Sequence, residues 1–161
     1  MSHLRLVAFL ALTGFVQPVL AQSWERHVDD GLGFSIELPT ERFEAVASAD
    51  GRLQLSEIDG TAQLDIFGVQ NPEALSLAQF RSMMEAADPT RRITYRAAGG
   101  NWFVLSGYLE GESEPTIFYA KFMLNRARTA LSAFEISYPA ADKARFDATV
   151  ERIEDSLTSP R

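Results

Sequence analysis

The chain of 161 residues contains no cysteine, which excludes disulfide staples, thiol redox chemistry, thiolate metal sites and a lipid anchor on a cysteine. Histidine is almost missing too, with only His3 and His27. Lysine is scarce, 2 residues against 13 arginines, a bias that together with abundant alanine fits a GC-rich bacterial genome. The formal net charge of −7 leaves no condensed basic stripe for a nucleic-acid backbone. No Gly-x-Ser-x-Gly occurs, no serine stands three positions before a lysine, and no Walker-type glycine loop is present. Gly31-Leu32-Gly33 fails the dinucleotide fingerprint because Ile36 stands where the third glycine belongs.

What is present begins with an address. Arg5 is followed by the apolar run Leu6 to Val16 and then by Gln17, Pro18, Val19, Leu20 and Ala21. That layout predicts a secretory signal peptide over residues 1–21, cleaved between Ala21 and Gln22. The stretch from Leu6 to Ala21 is 16 residues long and broken by Gln17 and Pro18; roughly 20 apolar residues are needed to cross a bilayer, so no stable membrane insertion is expected after cleavage. The n-region lacks paired arginines, which points to the general export route. Loss of Arg5 leaves the mature chain at 14 − 22 = −8. The expected location is the periplasm or the medium.

Residues 22–161 carry no repeat, low-complexity tract or linker and are expected to form one domain, with a short frayed end at Thr158 to Arg161. Phe34, Ile36 and Leu38 alternate with Ser35 and Glu37, predicting a strand stopped by Pro39. Asp50-Gly51 and Asp59-Gly60 are turn dipeptides bounding Arg52–Ile58, which pairs with Thr61–Val69 as a hairpin. From Asn71 to Ala87 the period becomes helical: Ser76 and Gln79 form a capping box, Leu75 and Phe80 a hydrophobic staple, and Leu77, Phe80, Met83, Met84 and Ala87 share one face. Four more strands are expected at Arg92–Ala97, Asn101–Glu110, Pro115–Leu124 and Thr129–Tyr138, with connections short enough for antiparallel neighbours. Trp102 to Leu105 and Ile117 to Ala120 are apolar on both parities, so both sheet faces must be covered there. A closing helix over Asp142 to Leu157 presents Phe146, Val150, Ile153 and Leu157 as its stripe, with Asp147, Glu151, Arg152 and Glu154 towards water. The expected fold class is therefore α+β: an α/β/α sandwich built on a twisted, mostly antiparallel sheet of six to seven strands with helices on both faces.

The Trp24 segment leading into Gly33-Phe34-Ser35-Ile36-Glu37-Leu38-Pro39, and the strand ending Ile136-Ser137-Tyr138-Pro139 before a helix ending Ser156-Leu157, resemble the PsbP-like fold. That group includes the extrinsic lumenal subunit of photosystem II, a nuclear Ran-binding factor and many bacterial exported proteins of unknown function. The resemblance covers nearly all of the mature chain through structural residues, and it implies a non-catalytic accessory or binding role. No photosystem-specific or Ran-specific signature is recognisable.

Residues able to carry chemistry are few. His27 would act as a base only if Asp29 or Asp30 oriented it, and an ordinary surface histidine explains it as well. Asp29-Asp30 and the series Glu110, Glu112, Glu114 could offer oxygen ligands to a hard cation, but they match no calcium loop and read equally as solvated turns; no metal or other cofactor is expected. Arg91, Arg92 and Arg96 on one strand, with Arg126 and Arg128 in a later turn, would make an acidic-partner patch if they converge. Arg92 and Arg96 serve equally as guards of an edge strand. The candidate binding residues are accordingly Arg92, Arg96, Arg126 and Arg128. The aromatic residues, among them Trp24, Trp102, Phe103, Phe118, Tyr119, Phe122, Phe134 and Tyr138, are mostly what a doubly covered sheet needs, though they could line a pocket with Tyr95 or Tyr108 as polar groups. Met83-Met84 reads as core packing, with any exposed methionine marking a docking surface.

These features converge on an exported, non-catalytic protein that works by docking on an envelope protein or complex. A carrier or sensor of a small apolar or amphipathic ligand in an aromatic-lined pocket is the second reading, and a hydrolase using two convergent carboxylates with separated pKa values is the third.

Overall fold

The computed structural model describes residues 23–49 and 51–161, so the expected leader and its cleavage point lie outside the described residues. The chain runs β1 (Glu25–Asp29), β2 (Phe34–Leu38), β3 (Phe43–Ala49), β4 (Arg52–Glu57), β5 (Gln63–Gln70), α1 (Leu77–Ala87), β6 (Arg91–Ala98), β7 (Trp102–Leu109), β8 (Thr116–Leu124), β9 (Ala130–Pro139), a single 3-10 turn at Ala140–Asp142, and α2 (Lys143–Ser156). Seven strands form one sheet in the order β3-β4-β5-β9-β8-β7-β6, every neighbouring pair antiparallel. The expected Arg52–Ile58 hairpin with Thr61–Val69 is the β4–β5 pair, joining Leu53 to Ile66 and Leu55 to Leu64.

Alternation along the central strands divides the core into two layers. Ile117, Tyr119 and Met123 of β8, with Phe134, Ile136 and Tyr138 of β9, face Phe146, Val150 and Ile153 at the inner side of α2 and Leu157 just past its end. Phe118, Ala120, Phe122 and Leu124, with Leu131 and Ala133, face Phe80 of α1 on the opposite side. This is the α/β/α arrangement expected from strands that are apolar on both parities. Ser76 caps α1 in a reciprocal box with Gln79, and Leu75 and Phe80 pack in the same cluster, as the staple requires.

Three expectations are corrected. Phe34–Leu38 is not part of the main sheet; it pairs only with β1 as a two-stranded ribbon beside α2, and β3 takes the seventh place instead. The polar β1 sequence and the small residues of β3 give little alternation signal. The end of the chain is not frayed: Thr158 N–H donates to Ser35 O at 2.9 Å, Arg161 N–H to Leu32 O at 3.0 Å, and Pro160 is buried. A polar tail without periodicity is held here by β2, a partner distant in sequence. The helix over Asn71 to Ala87 begins only at Leu77, because Asn71 holds the preceding turn with its side-chain amide donating to Leu75 O and Arg128 O and its Oδ1 accepting from Leu75 N–H.

Candidate functional site

Helix α2 leaves part of its sheet face open towards β6. The result is a groove of about 400 Å³ lined by Tyr95, Tyr108, Tyr119 and Tyr138, which are all four tyrosines of the chain. Ser106, Gly107 and Ile117 contribute from the sheet, and Lys143, Asp147, Val150, Glu151 and Glu154 from α2. The i, i+4, i+7 spacing of Asp147, Glu151 and Glu154 brings three carboxylates to one helical flank. Tyr95 reaches the groove beside a bulge, where the β6–β7 register shifts between Ile93 and Tyr95; such an extra residue re-aims the side chain that follows it. Gly107 makes the bulge possible, since a Cβ there would lie 2.0 Å from the Arg92 carbonyl oxygen.

Two of these phenols, Tyr119 and Tyr138, are held in their neutral form. Tyr119 donates its hydroxyl proton to Glu154 Oε2 at 2.5 Å, and burial, reinforced by that carboxylate, lifts its pKa far above the usual phenol value. Burial, followed by the charge of Asp147, pushes Tyr138 up to about 12. Neither ring supplies a phenolate nucleophile near neutral pH. Lys121 Nζ clamps the same corner, donating to the Glu154 carbonyl at 3.0 Å and standing 3.4 Å from its Oε1. Lys143 is engaged by Asp147 at 2.7 Å. Glu151 is exposed and has no ion pair among the described residues.

The arginines fall in three places. Arg91 lies on the α1 face, bonded to Glu135 at 2.7 Å and Asp88 at 3.2 Å, with its guanidinium 5.0 Å from the Phe118 ring centroid. Arg92 stacks on Tyr108, 4.8 Å to the centroid, and stands 3.4 Å from Glu110. Arg96 meets Glu85 of α1 at 3.1 Å. Both Arg92 and Arg96 sit on β6, the last strand of the sheet, where charged side chains discourage edge pairing. Arg126 and Arg128 instead line a second concavity with Ser76, Leu77, Asn101 and Asn125. Their turn is held by buried Asn125, whose Oδ1 accepts from Thr129 N–H at 2.8 Å, and by Arg128 itself at φ 58°.

The other candidates are occupied locally. His27 lies on β1 opposite Ile36, and Asp29 Oδ1 accepts from Leu32 N–H at 2.7 Å. Among the described residues no three metal-ligating side chains gather. Met84 packs into the α1 core, whereas Met83 is exposed. A pair of carboxylates does meet across strands, Asp65 opposite Glu135. Each has its own partners: Gln54 donates to Asp65 at 2.9 Å, Arg52 lies 4.0 Å from Asp65, and Arg91 holds Glu135. Desolvation nevertheless raises the pKa of Glu135, with Arg91 working in the opposite sense.

Sequence reasoning named Tyr95 and Tyr108 as groove candidates but assigned Asp147, Glu151 and Glu154 to plain solvent. Those positions do flank the apolar stripe. Only the packing of α2 against β8 and β9 shows that their flank overlooks tyrosines.

Neither a family model nor a curated protein matches the sequence. Among solved structures the fold recurs. The chain is similar to the solution structure of cyanobacterial PsbP (CyanoP) from Synechocystis, with a TM-score of 0.65 at 15% identity over 91% of this chain and 98% of that one. It is similar to the Ran-binding protein Mog1p of Saccharomyces cerevisiae, with a TM-score of 0.59 at 8% identity over 86% and 96% of the two chains. A protein from Bacteroides thetaiotaomicron matches with a TM-score of 0.60 at 12% identity, over 88% of this chain and 50% of that one. The fold is thus PsbP-like. Among the described residues no helix is long and apolar enough to cross a membrane.

Proposed function

We propose that this chain is an exported, non-catalytic accessory protein that docks on an envelope protein or complex through the tyrosine groove beside α2. The observation that carries this reading is the gathering of all four tyrosines on one open concavity. Tyrosine offers a large, stiff contact area with a polar tip, the combination favoured at recognition surfaces. A catalytic reading of the groove is disfavoured by the phenols of Tyr119 and Tyr138, held neutral by burial, and by Lys143, engaged by Asp147. The likeness to a Ran-binding protein adds support by analogy of fold. The signal-like start of the sequence supports export.

Arg126 and Arg128 offer a second docking surface for the same function, because among the described residues no carboxylate pairs with either. A small-ligand carrier is favoured only by the groove's volume of about 400 Å³, which falls in the usual range for ligand sites. Quantitative affinity capture from the native envelope separates these readings. A partner retained by the Arg126→Ala/Arg128→Ala variant and lost with Tyr95→Ala/Glu151→Ala is the expected result. Loss in the arginine variant alone would move the docking surface to the β8–β9 turn. Absence of any enriched partner would overturn the docking function and favour the carrier.

A further inference from the structure

Resting on the docking function just described, we propose that the groove receives a lysine or arginine side chain carried on an extended segment of the partner protein. The chemistry of the walls selects a cation. The face of a tyrosine ring is electronegative and attracts an ammonium or guanidinium placed over it, and burial holds the phenols of Tyr119 and Tyr138 in their uncharged form. Opposite the rings, α2 presents Asp147, held by Lys143, Glu154, held by Tyr119 and Lys121, and between them Glu151. Glu151 has no ion partner among the described residues and stands free to meet an incoming charge.

The fold itself places a basic side chain on one of these rings. The Arg92 guanidinium lies 4.8 Å from the Tyr108 centroid and also stands 3.4 Å from Glu110. A cation shared by a phenol ring and a carboxylate is therefore a geometry that this surface supports. An anionic occupant would face the unpaired Glu151, and a purely apolar one would strip water from that carboxylate without compensation. The net charge of −7 adds a field that draws basic segments towards the molecule. An extended segment is favoured over a compact ligand because Thr94 and Tyr95 of the groove belong to β6, the terminal strand, beyond which no further strand walls the sheet among the described residues.

The test uses the protein purified from its native host and short capped peptides that differ at one residue, lysine, arginine, norleucine or glutamate, with tetramethylammonium as a free cation. Binding is followed by calorimetry and by NMR of the tyrosine rings. The lysine and arginine peptides are expected to bind and to shift Tyr95 and Tyr108, with affinity reduced about tenfold by Tyr95→Ala or by Glu151→Gln. Both positions are exposed, so the fold survives each change. Affinity should fall as salt rises. Equal binding of the norleucine or glutamate peptide, or shifts confined to other residues, would overturn the proposal. Tetramethylammonium binding as tightly as the peptides would also overturn it, pointing to a small organic cation instead. A partner captured through the groove, combined with no peptide binding, would leave the docking function standing and remove only the cation chemistry.

Discussion

Glu135 sits on β9, the middle strand of seven, with its carboxylate largely removed from water and held by Arg91. Burial raises its folded-state pKa above the ordinary glutamate value, so between the two values the folded protein binds more protons than the unfolded chain. Stability from this group is fully present below the unfolded pKa and is lost as pH rises through the folded one. Denaturation of wild type and Glu135→Gln across this window should show the difference moving in favour of the glutamine variant as pH increases; a pH-independent difference would contradict the assignment. Gly107 provides a second test at this scale. Adding a methyl where the Arg92 carbonyl oxygen lies 2.0 Å away forces β6 from β7, so Gly107→Ala should cost about 2 kcal/mol in chemical denaturation. The change should also disturb Tyr95, whose placement depends on the same bulge.

At the scale of elements, long alternating or helical segments were legible and short polar ones were not. β7 and β8 announce themselves through apolar residues on both parities, and α1 through its capping box and staple. β1 has almost no apolar residue, and β3 is mostly alanine and serine around one valine; their pairing is decided by tertiary contact rather than local preference. The groove was half legible for a related reason. Tyrosines on a sheet and acids on a helix each show in sequence, but their meeting depends on how α2 packs. Phe146 sets that packing, stacked 4.6 Å from Tyr138 and edge-on to Phe43 at 6.4 Å. Phe146→Ala should cost about 4 kcal/mol and loosen the groove wall at Tyr138, to be read from a lowered denaturation midpoint together with changed tyrosine ring signals. Unchanged tyrosine signals would contradict the role of this contact in shaping the groove.

At the scale of the molecule, a doubly covered antiparallel sheet gives a rigid frame without disulfides, and the proposed docking function draws on its surface. Export belongs to this scale as well. Protein recovered from the native host should begin at Gln22 by intact-mass analysis, and a chain retaining residues 1–21 would remove the export claim. The central claim, that the groove docks a basic segment of a partner, is tested most directly by a photo-crosslinking residue placed in the native host at Thr94, exposed on the groove wall and outside the proposed binding contacts, with a control at Arg126. Peptide mapping should give one dominant adduct at position 94, joined to a partner segment bearing lysine or arginine, and none at the control. Adducts at position 126 alone, or an adduct at position 94 to a segment without a basic residue, would contradict the account.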